Sequence, residues 1–105
     1  MPVFVTRLLD EAQLEAAVQR AQSELAPDVV RIRYTIGEDW TGEPSIFFRV
    51  LLSDAASRPG GLATIARRVS SLLRKEVRPD ELGLHSYHNF RSESEQFELK
   101  DPAWA

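Results

Sequence analysis

Residues 29–52 read VVRIRYTIGEDWTGEPSIFFRVLL, and this stretch decides the fold. Val30, Ile32, Tyr34 and Ile36 alternate with Arg31, Arg33 and Thr35, the two-residue period of a strand with one buried and one wet face. Ile46, Phe48, Val50 and Leu52 repeat the alternation against Phe47, Arg49 and Leu51. Residues 37–44, dense in turn formers and acids, separate the two runs, so they are expected to pair as an antiparallel hairpin.

On either side of the hairpin the period changes to that of a helix. Upstream, Leu14, Ala17, Val18, Ala21 and Leu25 fall on one helical face, with Asp10 at the N-cap position, Gln13 placed to complete a capping box, and Ala26-Pro27 as the stop. Downstream, after Pro59 and the Gly60-Gly61 pair, Leu62, Ile65, Ala66, Val69, Leu72, Leu73 and Val77 form the strongest apolar stripe in the chain, closed by Pro79. Residues 82–90 read as a third strand, diluted by Gly83 and several polar side chains. Residues 92–105 carry Glu93, Glu95 and Glu98 among serines, and are expected to form a loosely packed C-terminal tail on a single domain of residues 1–91, with Phe97 and Trp104 as the groups able to dock it.

The element order predicts an α+β two-layer sandwich, α-β-β-α-β, with both helices over the face made by Ile32, Tyr34, Ile46, Phe48 and Val50. If Val3-Phe4-Val5 adds a strand, the order becomes the ferredoxin-like βαββαβ arrangement. Without it, the order resembles that of KH-type RNA-binding folds and of the cytoplasmic domains of cation-efflux transporters. The G-x-x-G loop that a KH-type reader needs is not present, because the one glycine pair is adjacent and precedes the helix.

A chain of 105 residues with 43% apolar and 28% charged residues can bury one core. No apolar run approaches the ~20 residues that span a bilayer, and the start of the sequence lacks the pattern of a signal peptide. The absence of cysteine removes disulfides, thiolate metal sites and cysteine nucleophiles, and fits a reducing cytoplasm. A formal net charge of -3 argues against a protein built around nucleic acid.

Against that acidic background the second helix is basic: Arg67, Arg68, Arg74, Lys75 and Arg78 face only one acid, Glu76, and could grip phosphates or an acidic partner surface. In the hairpin turn, Trp40 among Glu38, Asp39 and Glu43 either folds onto the sheet or forms a contact hot spot. His85 and His88 should point to opposite faces of the third strand, which prevents them from sharing a metal ion. The carboxylates of the hairpin turn could coordinate a cation or recognise a basic partner, but such acids are usually solvated and Asp39 is expected to satisfy local backbone N–H groups, so no metal site is assigned. No residue pattern points to a nucleophile, a phosphate loop or a cofactor site, and no strand shows the aromatic pattern of an RRM sheet. The expectation is therefore a small non-enzymatic protein-interaction module whose partner is itself as a homodimer. RNA binding through the basic helix is the alternative, and an enzyme using His85 or His88 comes third.

Overall fold

Ile46, Phe48 and Val50 have no solvent exposure, and they lie on the middle strand of the sheet. The computed structural model describes residues 10–105. These form α1 (Glu11–Leu25), β1 (Val29–Glu38), β2 (Pro44–Leu52), α2 (Leu62–Val77), a 3₁₀ turn (Pro79–Leu82), β3 (His85–Ser92), α3 (Glu93–Leu99) and a second 3₁₀ turn (Pro102–Trp104). The strand order is β1-β2-β3, with β1 antiparallel to β2 and β3 parallel to it. The expected α-β-β-α-β sandwich is the observed architecture, with the helices packed on one side of the sheet.

Each element follows from local chemistry. Asp10 starts α1 by accepting hydrogen bonds from the N–H groups of Ala12 and Gln13, while the full reciprocal capping box is made by Ser92 and Glu95 at the start of α3. α2 ends where Arg78 turns left-handed at φ 54°, immediately before Pro79, which cannot continue the helical hydrogen bonding. Leu14, Val18, Ala21 and Leu25 from α1 and Ile65, Val69, Leu73 and Val77 from α2 meet Ile32, Ile46, Phe48, Val50 and Leu52 in one apolar cluster. On the outer edge of β1, the Gln22 side chain accepts the Ile32 N–H at 2.9 Å, which satisfies one otherwise free edge donor.

Two expectations are corrected. The third strand begins at His85 rather than residue 82, because Pro79 at the first position and Gly83 at φ 73° wind residues 79–82 into a 3₁₀ turn; it then continues to Ser92. The C-terminal segment is more ordered than a loose tail: residues 93–99 are helical though they bury no side chain, Asp101 caps the following turn, and of the two expected docking groups Trp104 is only 8% exposed while Phe97 is 78% exposed. The possible strand at Val3-Phe4-Val5, on which the ferredoxin-like arrangement depended, lies outside the described residues. Within the described sheet, the β2–α2–β3 crossover joins strands that are directly adjacent.

Truncating a large side chain at the centre of this cluster removes its burial and leaves a cavity. Phe48→Ala is expected to lose about 3–5 kcal/mol. Urea denaturation followed by circular dichroism checks this, and an unchanged midpoint would place Phe48 outside the core.

Candidate functional site

With both helices on one side, the second face of the sheet is a separate surface, and the strand register orders it in rows. From the hairpin end the rows are Gly37, Ser45 and His85, then Thr35, Phe47 and Tyr87, then Arg33, Arg49 and Asn89, and last Arg31, Leu51 and Arg91. His85, Tyr87 and Asn89 thus share the face of the three arginines, as the strand period implied.

The chain's own C-terminal turn closes the last row and reaches the arginine row beside it, where Arg33 stays exposed. Arg33 and Arg49 lie directly opposite each other, an arrangement that is destabilising unless something neutralises it. Backbone oxygens of the turn do so. Arg49 Nε donates to Ala103 O at 2.7 Å, Arg31 donates through Nε and Nη2 to Trp104 O at 3.3 and 2.9 Å, and Arg33 Nε donates to Ala105 O at 3.0 Å. Arg91 stacks 4.3 Å above the Trp104 ring, pairs with Asp101 at 3.6 Å and donates to Gln96. Since Arg31 and Arg91 flank Leu51 in the register and both contact Trp104, the turn covers Leu51, which is buried.

The hairpin end remains open and aromatic. Phe47 and Tyr87 are cross-strand neighbours, stacked with ring centroids 5.2 Å apart and planes 14° apart. Trp40 leans on Tyr87 at 5.4 Å with its plane tilted by 53°, yet stays 81% exposed. Asp39 fixes this group. Its Oδ1 accepts from the Thr41 hydroxyl and N–H and from the Glu43 N–H, while Oδ2 accepts the Tyr87 hydroxyl at 2.7 Å. The Thr41 and Tyr87 hydroxyls, with backbone N–H groups, hold the Asp39 carboxyl well below the usual carboxylate range. The same hydrogen bond, reinforced by burial and the Asp39 charge, raises the Tyr87 phenol above its ordinary value. The cluster is thus an anionic carboxylate holding a neutral phenol, with an indole presented outward.

The basic residues of α2 are divided by the fold. Arg68 approaches Asp28 at 3.7 Å and Arg78 approaches Glu81 at 3.7 Å, whereas Arg67, Arg74 and Lys75 are exposed with no carboxylate partner among the described residues. None of these residues contributes to the rows of the uncovered sheet face, so the structure does not bring them together with Trp40.

His88 points to the helix side. Its Nδ1 lies 2.9 Å from Ser70 Oγ on α2, its ring packs on Phe48 with centroids 5.4 Å apart, and its buried Nε2 has no partner. A hydroxyl-imidazole pair suggests acid-base chemistry, but the geometry is reversed. In a catalytic triad one ring nitrogen takes the nucleophile's proton while the other is held by an orienting group, and here that second nitrogen is held by nothing. The grooves beside α1, α2 and β1, and the one between the end of α2 and the first 3₁₀ turn, are lined by neither histidine. No group of three potential metal-ligating side chains occurs among the described residues, and no helix there is long and apolar enough to cross a membrane.

Sequence reasoning missed the aromatic row because Phe47 and Tyr87 lie on different strands, and only the parallel β2–β3 register makes them neighbours. No protein-family model matches the chain, nor does any curated protein or solved structure.

Burial, with a smaller contribution from the nearby Arg74 guanidinium, holds the His88 imidazole below its ordinary pKa. The unfolded chain therefore takes up this proton first, and stability present above about pH 6.5 should fall as pH drops below it. Thermal melts between pH 7.5 and 5.5 are expected to show that fall in the parent and a flatter profile in His88→Phe. Equal slopes in the two proteins would remove His88 as its cause.

Proposed function

We propose that this chain is a small cytoplasmic protein-interaction module with no catalysis of its own, which self-associates and meets its partner through the uncovered sheet face. The carrying observation is Trp40, 81% exposed while its ring rests on Tyr87, whose hydroxyl is held by Asp39 in the same turn. An indole fixed in this way loses little conformational freedom on binding and offers a large apolar area. Trp, Tyr and Arg are also the residue types that dominate binding energy at protein interfaces. Arg33 and Arg49 border the aromatics in the next row, and the exposed Thr35 adds a polar group beside Phe47.

The test is recovery of bound polypeptides, including the chain itself, on the tagged full-length protein from its native cell. Trp40→Ala is expected to reduce recovery at least tenfold, in line with the ~2 kcal/mol or more that defines a hot spot. Recovery equal to that of the parent would end this reading.

A second reading is favoured by one separate observation: Arg67, Arg74 and Lys75 on α2 are exposed without a carboxylate partner among the described residues. They would bind the phosphates of a nucleic acid, RNA in the first instance. Affinity for a single-stranded RNA should then fall with salt, and the combined change of Arg67, Arg74 and Arg78 to Ala should flatten that dependence. Undetectable binding by the parent at low salt rejects it.

A further inference from the structure

Resting on the uncovered sheet face as the contact surface, we infer that its occupant is a second copy of this chain, docked face to face about a two-fold axis beside the aromatic row. The face is polar along its length. At the hairpin end stand the carboxylates of Asp39 and Glu43, in the middle Phe47, Tyr87 and Trp40, and beyond them Arg33 and Arg49. Both ends retain uncompensated charge. Among the described residues, the exposed Glu43 carboxylate has no partner, and the exposed Arg33 bonds only through Nε to Ala105 O, with its terminal nitrogens unpaired there.

A closed dimer with a two-fold axis requires a surface that is its own complement. Six residues separate Glu43 from Arg49 on β2, about 20 Å at ~3.4 Å per residue. The midpoint falls at Ile46, between the rows of Ser45 and Phe47. Rotation about an axis there places each copy's Glu43 over the arginine row of the other and brings the two aromatic clusters together. The contact is thus apolar at its centre and charge-paired at both ends. The same layout disfavours a single-stranded nucleic acid on these aromatics, because its phosphates would run past Asp39 and Glu43.

Sedimentation velocity of the full chain, from micromolar to near-millimolar concentration, decides the matter. The parent should form dimers, and Trp40→Ala should weaken them more than tenfold. Glu43→Lys and Arg33→Glu, each of which sets like charges against each other twice in the dimer, should each do the same. Mixing those two variants should restore dimers, because every contact in the mixed pair again joins opposite charges. If Arg33→Glu disturbs the C-terminal turn and fails to fold, Trp40→Ala and Glu43→Lys still decide, since both alter exposed turn positions.

A parent that stays monomeric throughout overturns the second copy. If that monomer still captures another polypeptide in a Trp40-dependent way, the interaction-module reading stands without it. A monomer that instead binds oligouridylate through the same face overturns both. A dimer indifferent to Trp40→Ala and Glu43→Lys also overturns the inference, because self-association would then use another surface.

Discussion

Everything in this molecule depends on β2 being the middle strand and being buried on its helix-facing side. Ile46, Phe48, Val50 and Leu52 interlock with α1 and α2, and both neighbouring strands take their register from β2. Once the helices have covered that side, the opposite side needs its own solution, since each alternate residue of β2 points there. The solution divides that side in two. The end carrying Leu51 is sealed by the C-terminal turn, and the end carrying Phe47 is left uncovered.

The sealed end is unusual in what compensates its charge. Arg31, Arg33 and Arg49 are met by backbone oxygens of the turn rather than by side-chain acids, and of these four arginines Arg91 alone pairs with a side-chain carboxylate among the described residues. A guanidinium presents several N–H donors in a fixed plane, so it can hold a carbonyl while its remaining donors stay available. Arg33 and Arg49 therefore both anchor the turn and border the open aromatic end. This ties the integrity of the turn to the character of the neighbouring surface.

The core was legible because it is written in short-range periodicity: Ile32, Ile46, Phe48 and Val50, and the stripes of the two main helices, follow from spacing alone. The capping role of Asp10 and the stop at Pro79 were equally local. The relation between β2 and β3 was not, because a crossover through a helix leaves the pairing of its two strands to tertiary packing, and the Phe47–Tyr87 row exists only through that pairing. Docking of the C-terminal turn was half legible: Trp104 was one of two groups able to supply it, but Phe97 stays exposed and the place of docking was traced only by Leu51. An aliphatic side chain among arginines on a face expected to be wet implies a cover, and Trp104 was the large apolar group available to supply one. In the acidic turn, the expectation that Asp39 satisfies local backbone N–H groups was legible from its place among turn formers, and its two backbone and two hydroxyl hydrogen bonds engage this acid within the chain.

The two indoles occupy opposite environments: Trp104 is shut beneath Arg91 and Trp40 stands in solvent. The protein thus carries two intrinsic fluorophores that differ in colour and in access to quenchers. Trp104 should emit toward the blue and resist iodide, so its signal reports whether the C-terminal turn is seated. Trp40 should emit toward the red and be quenched readily, so it registers events on the open aromatic surface. Detachment of the turn and occupation of the face can be told apart in one cuvette, without an added label.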